Sequence, residues 1–263
     1  MQCLVATDCT SPSPTCNAGV CEDVKWGCLK DPDNRPPAAP GTSATLNVKV
    51  PDAVAKGPLP SVTMKPCHAS TIDPKCAQTP WPTATTAYDT TTALATIGNI
   101  PNGTLYRLQY FPPPNTDYFP RDYVTNRTSR GAEMITDDLA LVPAWVLDTL
   151  KPPPGIVIDK TRPFLSVRIF DCTGALAEGV SVSLTDQDAT LAAAYRDEAD
   201  NLDFSGTKTS TKGFMGFINV KPETSTKITA RLGAADLVSF TSVPVGMHTM
   251  TVDLYPRVFI AGQ

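Results

Sequence analysis

The sequence predicts an all-β protein: two tandem β-sandwich domains behind a small disulfide-rich amino-terminal module. Three observations carry this reading. Five of the eight cysteines fall within the first 28 residues. Short stretches of strict two-residue alternation recur along the rest of the chain, broken by turn residues about every 8–12 positions. The composition is also wrong for long helices: Thr is 34 and Pro 26 of 263 residues, while charged residues make up only 18%.

The same composition excludes other classes. Charge is too low and apolar content too high for overall disorder. A net charge of −4 gives no basic excess to neutralise phosphates, so no nucleic-acid partner is expected. No apolar run approaches the length of a membrane span.

Residues 1–28 lack the apolar content for a core, so covalent staples are expected to hold them. Zinc is disfavoured because there is no Cys-x-x-Cys spacing and only His68 and His248 are available. No metal and no cofactor is expected. Disulfides imply an extracellular or cell-surface location. Met1 and Gln2 lead straight to Cys3 without a basic and apolar leader, so a mature or trimmed form is expected. Cys67 and Cys76 enclose a short loop and are predicted to bridge. If Cys3, Cys9, Cys16 and Cys21 pair among themselves, Cys28 is left for Cys172. Such a long loop would constrain the unfolded chain by several kcal/mol in the entropy model.

Residues 29–44 read as a Pro-rich linker. The first sandwich is predicted over 45–142. It opens on Leu46, Val48 and Val50, which share one face, with Asn47 and Lys49 on the other. Strands follow at 62–65, 93–97 and 105–111, the last two separated by the Asn102-Gly103 hairpin signal. Segment 112–130 reads as a long aromatic loop or irregular edge, and 132–141 as a strand. Residues 143–162 are a short helix and Pro-rich joint, with Pro143 in the first turn and Trp145, Val146 and Leu150 on one face. The second sandwich is predicted over 163–258. Its strands lie at 164–172, 180–184, 214–220, 227–232, 237–240 and 250–254. Segment 189–203 reads as a helical turn or loop, and 259–263 as a tail. The two strand sets align as an internal repeat, with 46–52 matching 165–171 and 93–108 matching 214–228.

Two resemblances extend this. The run Cys3-x5-Cys9-x6-Cys16-x4-Cys21 resembles a four-cysteine module that precedes other domains in secreted myxobacterial proteins. That resemblance implies the pairs Cys3–Cys16 and Cys9–Cys21; the sequence itself allows three connectivities. The segment Asp171-Cys172-Thr173-Gly174, followed by Gly179 and the alternating Val180, Val182 and Leu184, resembles the opening hairpin of carboxypeptidase regulatory-like, or transthyretin-like, domains. It implies a transthyretin-like β-sandwich and no particular activity.

No catalytic residues are assigned. There is no Gly-x-Ser-x-Gly elbow, and an even cysteine count leaves no spare thiolate. The acidic run from Asp197 to Asp203, with Asp186 and Asp188 upstream, has oxygen ligands that would suit calcium, but reads more simply as a solvated loop. Lys49 invites comparison with lysines that form isopeptide bonds, yet its alternation points it away from the core. Asn102 and Asn126 open sequons, which matter only where asparagine is glycosylated.

The expected function is that of a non-catalytic secreted or cell-surface structural or adhesive protein, as a subunit of an extracellular filament. The alternative is a carbohydrate-binding module using first-domain aromatics. Candidate contact residues are Tyr110, Phe111, Tyr118 and Phe119, together with the apolar Val258, Phe259 and Ile260, which would add as a strand to a neighbouring subunit. Expected partners are other copies, other surface proteins and glycans.

Overall fold

The computed structural model describes residues 15–17, 20–22, 25–26, 43–59, 61–69, 76, 94–129, 132–135, 140–242, 246 and 248–256. The chain is all-β, with four sheets among the described residues. The first is a hairpin of β1 (Thr15–Asn17) and β2 (Val20–Glu22), in which Cys16 stands opposite Cys21. The pairings expected for Cys3, Cys9 and Cys28 involve positions outside the described residues, as do Val258, Phe259 and Ile260.

In the first half, β3 (Ser43–Lys49) pairs antiparallel with β5 (Leu94–Pro101) and parallel with β8 (Ala132–Ile135). The alternation of β3 does what period two requires: Ala44, Leu46 and Val48 are buried and Lys49 is exposed. A second antiparallel set runs β4 (Thr63–His68), β6 (Leu105–Phe111) and β7 (Arg121–Thr128). The second half repeats the scheme. Strand β9 (Leu165–Ile169) pairs antiparallel with β13 (Phe214–Ile218) and parallel with β16 (Thr249–Leu254). Strands β10 (Val180–Leu184), β14 (Thr226–Leu232) and β15 (Ala235–Ser242) form the antiparallel set. Strands β11 (Ala192–Arg196) and β12 (Leu202–Asp203) extend the edge beyond β13.

The halves meet within one sheet. Strand β16 also pairs in parallel with β7, from Thr249 opposite Arg121 to Asp253 opposite Thr125. The result is an eight-stranded sheet in the order β12-β11-β13-β9-β16-β7-β6-β4. Successive residues of β7 serve different cores. Tyr123 packs with Leu46, Ile97 and Leu108, whereas Val124 packs with Leu165, Val252 and Ile228. The three-stranded sheets β5-β3-β8 and β10-β14-β15 therefore cover opposite faces of the long sheet.

Three expectations are corrected. The 112–130 loop contains β7, which lies inside the sheet. Its polar residues read as loop because the partners that satisfy them come from β16. Segment 189–203 forms β11 and β12: in β11, Ala192 and Ala194 are buried on one face and Tyr195 on the other. The predicted helix shrinks to α1 (Val146–Thr149), and Leu147, rather than Trp145, is its buried residue.

Matching turns follow the first strand of each half. Asp52 Oδ1 accepts the Val54 and Ala55 N–H groups, each at 2.6 Å. Asp171 Oδ1 accepts from Thr173 N at 2.8 Å and Ala175 N at 3.1 Å. Gly213 lies at φ +53°, and a Cβ there would come within 2.8 Å of Ile169 O, so only glycine lets the chain close this tightly on β9. Cys67 and Cys76 form the expected disulfide, Cα to Cα 5.6 Å. Cys172 is also disulfide-bonded, and its N–H donates to Lys25 O at 2.8 Å. Trp26 packs against the second core, so residues 25–26 are docked on that half.

Candidate functional site

Two regions carry unusual chemistry: the buried junction between the halves and an aromatic recess beside it. At the junction, Arg168 grips Asp253 through two bonds of 2.6 Å, Nε to Oδ1 and Nη2 to Oδ2. Tyr123, across on β7, donates its hydroxyl to Asp253 Oδ2 at 2.9 Å. Arg121 Nε donates to Thr251 Oγ1 at 2.9 Å, and its Nη1 donates to Ala140 O. Asn126 donates to Tyr255 O at 3.1 Å and accepts the Tyr255 N–H at 2.9 Å. It is buried and occupied, so this sequon is not open to a sugar. Burial holds the Tyr123 phenol well above its ordinary value, with the nearby Asp253 charge adding to the effect. The Tyr123–Asp253, Arg121–Thr251 and Asn126–Tyr255 links tie β7 to β16 or to the residue after it, and so one half to the other.

On the opposite face of the same junction, Asp122 is fully buried, and no hydrogen bond reaches its carboxylate oxygens. His248 Nδ1 lies 3.5 Å from Asp122 Oδ1. The His248 ring stands edge-on to Phe111, centroids 5.9 Å apart. His248 is a tertiary contact of the sheet, which its position in a turn did not suggest.

The recess measures about 270 Å³ and is lined by Asp52, Val54, Asp117, Tyr118, Pro143 and Trp145 among others. Trp145 is 47% exposed and Val54 49%, two of the three large exposed apolar residues among those described. Tyr118 donates its hydroxyl to Asp52 Oδ2. Burial opposes ionisation of Asp52, but the Tyr118 hydroxyl and the Ala55 and Val54 N–H groups together hold its carboxyl below the usual value. The same hydrogen bond pushes the Tyr118 phenol up to about 12. A second cleft, about 260 Å³, lies between α1 and the sheet at β9 and β13; Leu147, Phe164 and Phe214 form its apolar wall. Arg196 stacks over Phe214 there, 4.3 Å from the ring centre.

The candidate contact residues separate. Tyr110 is fully buried in the first core and Phe119 is nearly fully buried; neither can offer a ring to a ligand. Phe111 is half-buried against His248. Tyr118 alone reaches the recess. The partner ring, Trp145, was assigned to a helix face. The available signal was the shortness of the segment between Pro143 and the prolines after Lys151, too short to bury an amphipathic stripe.

The acidic run resolves into separate turn devices. Asp188 accepts from Thr190 and Arg162, Asp197 from Asn201, Glu198 from Thr211, and Asp203 from Ser205. No cluster of three metal-ligating side chains occurs among the described residues.

No family model matches the chain, and no curated protein matches it. Solved structures to which the chain is similar include the E269A mutant of the shaft pilin SpaA from Lactobacillus rhamnosus GG, at 11% identity and TM-score 0.26, covering 84% of this chain and 99% of that one. A CBM26 domain of Eubacterium rectale Amy13K, in complex with maltoheptaose, is 13% identical at TM-score 0.27, covering 80% and 91%. The Bacillus anthracis TIE protein is 11% identical at TM-score 0.26, covering 82% of this chain and 34% of that one. This chain thus spans about a third of the TIE protein's length.

Proposed function

We propose that this chain is a non-catalytic structural or adhesive protein of the cell surface or extracellular space, built to be a subunit of an extracellular filament. The observation that supports this is the continuous sheet. Two sandwiches joined only by a linker would swivel. Here a parallel ladder and a buried Arg168–Asp253–Tyr123 network span the joint, so the two halves resist bending as one body. The Cys67–Cys76 and Cys172 disulfides fit an oxidising location. Electron microscopy and sedimentation of the full chain over a concentration series test this reading. Linear assemblies are expected; a monomer up to the solubility limit overturns it.

A second reading, glycan binding, is favoured by the recess. A pyranose presents a C–H face that stacks on an exposed ring, while its hydroxyls donate to carboxylates. Trp145 offers the ring and Asp117 the exposed carboxylate, with Tyr118 forming the wall. Oligosaccharide titration followed by tryptophan fluorescence tests it. Binding lost in Trp145→Ala supports it, and no response across neutral polysaccharides removes it.

A further inference from the structure

We propose that a second copy of this chain adds its β8 edge, in parallel, to the outer edge of β15, repeating between copies the junction that β16 and β7 make within one. The inference rests on the filament reading and gives it a contact. Its basis is the repeated pairing scheme. In each half the first strand pairs in parallel with the last: β3 with β8, and β9 with β16. In each half the other sheet ends on its third strand, β7 or β15. At the internal junction the terminal strand of one kind, β7, meets the terminal strand of the other kind, β16. The molecule carries the counterparts of both, β15 in the second half and β8 in the first. Among the described residues, each is the last strand of its three-stranded sheet. A contact between two different edges of identical copies does not close on itself as a two-fold dimer does. It is head-to-tail, and it propagates as an open chain wherever its rotation does not close a ring.

The matching fixes a register. Pro101 and Pro222 hold corresponding turns, and the buried Leu108 and Ile228 correspond beyond them. Their ladder partners are Tyr123 and Phe240, so Val124 corresponds to Thr241 and Asp122 to Ser239. Likewise Val48 and Val167 correspond, with partners Ile135 and Val252. Val252 pairs with Val124 inside the chain, and Met250 with Asp122. Between copies, Ile135 then meets Thr241, and Glu133 meets Ser239. Val124 is 3% exposed because the junction covers it, whereas Thr241 and Ser239 are exposed. Strand β15 also carries neither lysine nor proline, the residues that most often guard an open edge.

The test uses the full chain. Thr241→Lys places a charge where the monomer is open to water, so the variant should keep the parent unfolding temperature and lose end-to-end assembly. Copies bearing Glu133→Cys, mixed with copies bearing Ser239→Cys, should be joined by a short thiol-to-thiol linker; either variant alone should not. Assembly undiminished in Thr241→Lys, or assembled mixtures without the Glu133–Ser239 link, overturns the edge assignment and leaves the filament reading standing. A parent protein that never assembles overturns both.

Discussion

Lys49 and Arg168 stand at matching places on the first strands of the two halves, yet one faces water and the other is buried against Asp253. The strands are alike in pattern; their layers are not. Strand β3 belongs to a three-stranded sheet with one wet face. Strand β9 lies in the middle of eight strands, with material on both sides, and all five of its residues are buried. A cation on the outer face of β9 must therefore find a carboxylate, and β16 supplies it. The turn aspartates show a related contrast. Asp52 and Asp171 both cap the turn after the first strand, but Asp52 also receives the Tyr118 hydroxyl at the rim of an open recess. The same local device is buried in one half and opens on a recess in the other.

The largest expected effect breaks the first contrast. Arg168→Met leaves Asp253 buried without its cation and should cost about 3–5 kcal/mol, read from urea unfolding. The double variant Arg168→Met with Asp253→Leu should recover most of that loss. Lys49→Met, at the matching place, should change stability by no more than about 0.5 kcal/mol. Equal costs at the two positions would show that the junction is not packed as described.

Next, His248→Ala removes the imidazole that lies 3.5 Å from the buried Asp122 and should cost about 1–3 kcal/mol. Combining it with Asp122→Leu should restore stability; a cost that persists would assign the loss to the Phe111 contact instead.

Tyr118→Phe should cost about 1 kcal/mol at neutral pH. The sign of its pH dependence follows from the two partners. The folded carboxyl of Asp52 lies below its ordinary 3.8, so its contribution is present above that value and is lost as pH falls through the lower folded value. The Tyr118 phenol is raised from 10.0 to about 12, so its contribution is complete below pH 10 and is lost as pH rises through about 12. The parent and Tyr118→Phe stability curves should therefore converge at both extremes; a constant gap would assign the effect to packing.

Smallest in stability is Trp145→Ala, expected within about 1 kcal/mol because the ring is half in water. The same change should abolish oligosaccharide binding. A stability loss several times larger would place Trp145 in the core and remove the recess as a site.

Much of the strand pattern was legible. The bounds of β6 and β10 coincide with their alternating runs, because each has one core face and a periodic sequence records it. Strand β7 was not legible. Arg121 and Asn126 look like loop residues until Thr251 and Tyr255 are in place to satisfy them, and Asp122 and Thr125 give no sign in the sequence that the strand buries them. In the recess, Tyr118 was visible as an aromatic in a proline-rich segment. Trp145 was hidden by the expectation of an amphipathic helix that the chain is too short to build.

By itself the sequence determined the all-β class, the turn at Asp171 and the Cys67–Cys76 bridge, because each depends on residues close together in the chain. Only the tertiary structure decided that the sandwiches share a sheet. Arg121 and Thr251 are 130 residues apart, and no local pattern records which edge a strand will meet. That choice settled which polar side chains are buried and paired, and which remain in water.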